Sequence, residues 1–151
     1  MGEWDTKTQL EIAHQAGEAA KVHRISRTPE HILEKYRRCK HWWAFPKELM
    51  FKSLGNLAQK EILDFGCGTG EISNELALLG ARVTGIDISP ELIELARRRV
   101  AINGVQDRTR FIAGDVTKTP FPENKFDSIV CFAVLHHVDL HTVMPLLVAS
   151  L

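Results

Sequence analysis

Ile62-Leu63-Asp64-Phe65-Gly66-Cys67-Gly68-Thr69-Gly70 passes from a short apolar run straight into three alternating glycines. The run over residues 61–65 predicts a buried strand, and residues 71–79 after the glycines predict a helix that Gly80 stops. Glycine reaches positive φ without strain and lets the backbone approach a ligand closely. The helix start that follows adds unpaired N–H groups and a partial positive charge. A strand, glycine turn and helix in this order hold the polar or anionic end of a cofactor at the carboxyl edge of a sheet. The other reading of the stretch alone is a tight turn with no ligand.

The same alternation continues on the C-terminal side. Strands are expected over 82–86, 110–113 and 126–133, with helices over 90–103 and 140–151. Ser89 precedes the first of these helices as its cap, Gly104 ends it, and Asp139 caps the second. Strands alternating with helices predict an α/β fold, a parallel sheet with helices on both faces. Two further carboxylates stand at the ends of strands. Asp87 closes Val83-Thr84-Gly85-Ile86-Asp87, about 20 positions after the turn, where an acid can accept from both ribose hydroxyls. Asp115 follows the third strand in Ile112-Ala113-Gly114-Asp115. The competing reading is a helix-start carboxylate beside Ser89 for Asp87, and an Asx-turn for Asp115.

Glycine spacing separates the cofactor classes. A dinucleotide turn needs Gly-x-Gly-x-x-Gly, but the glycines are 66, 68 and 70, and position 71 is Glu. A pyrophosphate would meet Asp64 and Glu71, whereas a zwitterionic amino-acid end tolerates an acid beside its ammonium. No Gly-Lys-Ser/Thr occurs, which excludes a triphosphate loop.

These residues resemble the class I S-adenosylmethionine-dependent methyltransferases, closest to the small-molecule methyltransferases, the broad group that includes the enzymes of quinone biosynthesis. The first motif is matched by residues 62–70 as quoted above. The second is matched by Val83-Thr84-Gly85-Ile86-Asp87-Ile88-Ser89-Pro90, the third by Gly114-Asp115-Val116. The fourth is matched by Phe126-Asp127-Ser128-Ile129-Val130-Cys131-Phe132, continuing into Leu135-His136-His137. The resemblance covers roughly residues 60–151. It implies a Rossmann-like sheet, S-adenosyl-L-methionine as cofactor and a small-molecule methyl acceptor. Asp64 would then face the methionine ammonium, and Gly66, Cys67 and Gly68 would present backbone to the methionine part. Asp87 would hold the ribose, Ile88 would pack on the adenine, and Asp115 would take the adenine amino group with Val116 alongside. Phe132 would lie near the methyl-donor centre through its backbone. The family sheet has seven strands and four are found here. The chain stops at Leu151, before the Lys-Pro-Gly-Gly turn and fifth strand usual in the family, so an incomplete domain is expected. Its fourth strand would be a bare apolar edge through which the chain could form a homodimer.

Residues 1–59 show no convincing strand and read as a helical cap or lid before the cofactor domain at 60–151. A surface helix is expected over 6–23. Thr28-Pro29-Glu30 reads as the capped start of a second helix running to about residue 38, and Pro46 opens a third that Gly55 ends. Lys35 to Trp43 mixes basic and aromatic residues. Among a nucleic-acid clamp, core anchors and a lid, the lid made of Tyr36, Trp42, Trp43 and Phe45 is preferred. Lys plus Arg number 19, as do Asp plus Glu, a balance that argues against nucleic acid or an anionic membrane as partner.

His136 and His137 are the candidate general bases for an acceptor hydroxyl, since histidine titrates near neutrality. With His141 they could instead ligate a metal or simply surround the start of the last helix, and the last is preferred. Arg97-Arg98-Arg99 reads as a solvated helix face. Cys39, Cys67 and Cys131 are too few and too scattered for a disulfide framework. No signal peptide or membrane span is seen, and a soluble cytoplasmic chain is expected. Three functions stay open. They are an active small-molecule methyltransferase, a cofactor-binding but inactive interaction module, and, against the glycine spacing, an NAD-dependent oxidoreductase.

Overall fold

The computed structural model describes residues 9, 12–14, 16–17, 25–37, 46–118 and 121–151. Two helices, α1 (Glu30–Arg37) and α2 (Pro46–Leu54), precede the sheet. Then follow β1 (Glu61–Phe65), α3 (Glu71–Leu78), β2 (Arg82–Asp87), α4 (Pro90–Asn103), β3 (Thr109–Ala113), β4 (Ser128–Val130) and α5 (Leu140–Ala149). All four strands run parallel in the order β3-β2-β1-β4. The chain moves outward from β1 to β3, then returns to place β4 on the other side of β1. That reversal opens a crevice beyond the carboxyl ends of β1 and β4, the place where such sheets bind ligands.

Successive side chains of a strand point to opposite faces, and here each face has its own core. Ile62 and Val83 pack with Ile72 and Leu76 of α3 and Ile93, Ala96 and Val100 of α4. Leu63, Phe65 and Ile86 pack with Phe126, Val143 and Leu147 on the α5 side. Burial on both faces is why β1 reads as a continuous apolar run. Ser89 Oγ accepts from Leu92 N at 3.2 Å, and Gly104 closes α4 at φ 72. Asp139 Oδ1 accepts from His141 N at 3.1 Å at the start of α5.

Three expectations are corrected. The fourth strand is Ser128–Val130 rather than residues 126–133. β1 offers it only Ile62, Leu63 and Asp64 before turning into the glycines, and Ala133 at φ 57 takes the chain out of extended geometry. Upstream, Phe126 N donates to Ser150 O and is tied to the end of α5, and Asp127, whose N–H donates to Glu61 O, reaches the first residue of β1. Thr28 does not cap a helix. Its N–H donates to Asn103 Oδ1 at 2.7 Å and its hydroxyl accepts from Asn74 Nδ2 at 2.9 Å, pinning the chain before α1 to α3 and α4. The arginine triplet is a solvated face only in part: Arg97 and Arg98 are exposed, but the half-buried Arg99 donates to Thr69 O of the glycine turn.

Helix α2 and Leu57 pack on the α3 side, with Phe51 and Leu57 inside the same core as Ile62, whereas Gln9 and Ile12 border a small cavity with Ile88, Pro90, Glu91 and Ala113. Tyr36 stacks on Phe51 with ring centroids 4.2 Å apart, so it serves that packing. Trp42, Trp43 and Phe45 lie outside the described residues, as does most of the helix expected over 6–23. Its described residues are helical. Among the described residues no helix is long and apolar enough to cross a membrane.

Candidate cofactor site

The glycine turn is built by backbone bonds to the neighbouring strand. Gly66 N and Cys67 N both donate to Ile86 O, at 2.9 and 3.0 Å. Gly66, Gly68 and Gly70 all have positive φ, at 70°, 52° and 70°. At Gly66 a side chain would strike Val134, 2.2 Å from the built Cβ position. At Gly68 nothing lies within 4 Å, because that side faces open cavity. Asp87 fastens the turn from β2. Its Oδ2 accepts from Gly68 N at 2.8 Å and its Oδ1 from Ser89 N at 3.0 Å. A carboxylate accepts about four hydrogen bonds, so these two do not by themselves exhaust it.

Two cavities meet at Gly66 and Gly68. The first, about 220 Å³, is lined by Asp87, Ile88, Asp115 and Val116 from the β2 and β3 ends and by Val134 and His137 after β4. Its walls are mostly apolar, with the two carboxylates among them. Asp115 also forms the expected Asx-turn, its Oδ1 accepting from Thr117 N at 2.9 Å and Thr117 Oγ1 at 2.7 Å. The second cavity, about 270 Å³, is lined by Asp64, Cys67, Thr69, Glu71 and Phe132, with Lys47 reaching in from α2. It therefore carries both signs of charge.

Asp64 is 1% exposed and accepts from Ser73 Oγ at 2.6 Å. Burial pushes its carboxyl up to about 6, the Ser73 bonds work against that, and the negative charge of Asp87 adds to it. Lys47 Nζ lies 2.5 Å from Glu71 Oε1 and 2.9 Å from Glu75 Oε2. Burial alone would lower the Lys47 ammonium, but its bonds to Glu71 and Glu75 outweigh burial and hold it above its ordinary value. The bond from Lys47 holds the Glu71 carboxyl below the usual range.

The structure thus gathers Asp64, Gly66, Cys67, Gly68, Asp87, Ile88, Asp115, Val116, Phe132 and His137 around two cavities that share Gly66 and Gly68 in their lining. Cys67 contributes through its backbone. Its thiol is turned into the core against Gly85, and burial pushes it well up. His136 packs against His137 with the ring planes tilted by 42° and the centroids 3.9 Å apart, but lines neither cavity. Among the described residues no group of three or more His, Cys, Asp or Glu is arranged to hold a metal. Lys47, Ser73, Thr69 and Val134 were not singled out from the sequence. Ser73 was within reach of it, because a buried acid on β1 needs a donor, and the facing helix supplies a serine three residues after Gly70.

A family model described as "Methyltransferase domain" matches residues 62–149. A ubiquinone biosynthesis O-methyltransferase, mitochondrial, of Schizosaccharomyces pombe is 38% identical over 91 residues, covering 60% of this chain and 33% of that protein. A demethylmenaquinone methyltransferase of Tropheryma whipplei is 40% identical over 99 residues, covering 65% of this chain and 38% of that protein. The chain thus spans little more than a third of the length of these two relatives. A SAM-dependent methyltransferase from Thiobacillus denitrificans, solved in complex with S-adenosyl-L-homocysteine, is 27% identical with a TM-score of 0.57, covering 83% of this chain and 52% of that one.

Proposed function

The chain belongs to the methyltransferase domain family, and on that footing we propose that it binds S-adenosyl-L-methionine and serves methyl transfer to a small-molecule acceptor. The observation that carries this is the pair of cavities that share Gly66 and Gly68 in their lining. The first suits a nucleoside, with Ile88 and Val116 as walls for the base, Asp87 for the ribose hydroxyls and Asp115 for the adenine amino group. The second suits a zwitterion, with Asp64 for the ammonium and Lys47 as counter-charge for the carboxylate. A relative crystallised with S-adenosyl-L-homocysteine supports the same fit.

The cofactor supplies a methyl group already activated on a sulfonium, so the residues have little acid–base work to do. Their contribution is alignment of donor and acceptor and exclusion of water. His137 lines the first cavity and is the side chain we assign to take a proton from an acceptor hydroxyl. His136, which lines neither cavity, is the weaker of the two candidates. The names of the relatives point to ubiquinone biosynthesis and to demethylmenaquinone, so demethylmenaquinone and precursors of ubiquinone are the first acceptors to try. A cytoplasmic setting is supported by Cys67 and Cys131, both free thiols.

Calorimetry with S-adenosylhomocysteine on the 151-residue chain tests the reading. Binding in the micromolar range that Asp87→Ala weakens at least about tenfold, the cost of one charged hydrogen-bonding partner, is expected. A folded chain that binds NADH and not S-adenosylhomocysteine would sink it.

A further inference from the structure

Helix α4 lies directly behind the glycine turn and touches it at two points one turn apart. Ala96 sits under Gly70, so close that a Cβ there would lie 2.6 Å from the Ala96 Cβ. Three residues on, and therefore on the same helix face, Arg99 reaches the turn. Its Nε donates to Thr69 O at 2.9 Å, and its Nη2 lies 3.4 Å from Thr69 Oγ1. One fork thus holds both the carbonyl and the hydroxyl of a single loop residue. One turn further, Asn103 Nδ2 donates to Arg99 O at 2.8 Å while Asn103 Oδ1 accepts from Thr28 N, which braces that end of the helix.

Thr69 lines the second cavity and not the first. We propose that Arg99 is a positioning residue for the amino-acid half of the cofactor, fixing the Thr69 peptide at the wall of the second cavity, while Ile86 O, Asp87 Oδ2 and Cys67 O already hold the N–H groups of Gly66, Cys67, Gly68 and Gly70. The inference rests on the cofactor reading above. Geometry supports the division between the two halves. The nucleoside cavity is shaped chiefly by Asp87, Ile88, Asp115 and Val116 at strand ends, and of the turn it takes Gly66 and Gly68 but not Thr69. The charge of Arg99 also helps hold the Glu71 carboxyl below the usual range, after the larger effect of Lys47, so its influence extends across the second cavity.

The test compares two ligands that differ in the amino-acid half, S-adenosylhomocysteine and 5′-methylthioadenosine, by calorimetry on the 151-residue chain. Arg99→Ala is expected to weaken S-adenosylhomocysteine about tenfold, the loss of a charge-assisted hydrogen bond. Methylthioadenosine should stay within about twofold, because its contacts lie elsewhere. Arg99→Lys, which keeps the charge but not the fork, should fall between the two. Asp87→Ala should weaken both ligands alike. Equal losses for both ligands in Arg99→Ala would make Arg99 merely structural, and no loss for either would remove its role. Both results overturn the proposal while leaving the cofactor reading intact. If Arg99→Ala fails to fold by circular dichroism, the same ratio read on Arg99→Lys and Arg99→Gln decides in the same way. A parent chain that binds neither ligand overturns the cofactor reading and this inference with it.

Discussion

At Asp64 two demands compete. A carboxylate suits a cofactor ammonium, yet the residue is wholly buried beneath the turn, where ionisation is costly. Its folded value of about 6 stands above the ordinary 3.8. The native state therefore holds this proton more tightly than the unfolded chain. The resulting stabilisation is fully present below about pH 4 and is lost as the pH rises through about 6. Two units correspond to roughly 3 kcal/mol. Asp64→Asn, which keeps the Ser73 bond without the charge, should melt several degrees above the parent at pH 8 and level with it near pH 4. Parallel melting curves across that range would show that Asp64 ionises in the fold at little cost. The same variant should bind S-adenosylhomocysteine more weakly, so stability and affinity are expected to move in opposite directions.

Between strands and helices the glycine turn leaves little freedom. Gly66→Ala combines a φ of 70° with a contact of 2.2 Å to Val134. It should cost about 2 kcal/mol or more in urea unfolding, and it should close the junction of the two cavities. Stability within about 0.5 kcal/mol of the parent would mean the 133–135 loop moves away easily. Ser89 is a simpler case. It is fully buried and caps α4 through Leu92 N, so Ser89→Ala should cost about 1 kcal/mol. Because Asp87 bonds the Ser89 N–H and the Gly68 N–H together, fraying at this cap should also loosen the turn.

For the molecule as a whole, the attachment of the N-terminal helices and the open outer side of the sheet matter most. Lys47 carries the charge of Glu75, which is 4% exposed, across the boundary between α2 and α3. Lys47→Met leaves that carboxyl buried without its cation and should destabilise the fold by about 3 kcal/mol. Lys47→Met combined with Glu75→Leu should recover much of the loss, and a double variant no better than the single one would dismiss the pairing. On the other side, β4 is a three-residue strand, and α5 beside it exposes Leu140, Met144, Leu146 and Val148. Apolar surface of this kind beside the edge strand of the described sheet favours self-association. Sedimentation should show a concentration-dependent dimer that Met144→Lys with Val148→Lys converts to monomer. A parent chain that stays monomeric at high concentration would dismiss the homodimer expected from the sequence.

Local chemistry made β1, α3, α4 and the glycine turn legible before any coordinates. Their signals are short-range: an apolar run, Ser89 and Gly104 at the ends of one helix, and three glycines where the backbone must take positive φ. The strand-end carboxylates Asp87 and Asp115 were legible for the same reason, since a βα edge is a place in the sequence as well as in space. The length of β4 was not, because a strand lasts only as long as its partner, and β1 turns away after Phe65. Nor were Lys47 and Arg99, which come from a helix before the sheet and a helix behind the turn. Their side chains reach the site across 24 and 30 residues of sequence. In the sequence each is one cation among 19 Lys and Arg. Only packing gives it a particular carbonyl or carboxylate, because a hydrogen bond is set by distance and direction in the folded chain.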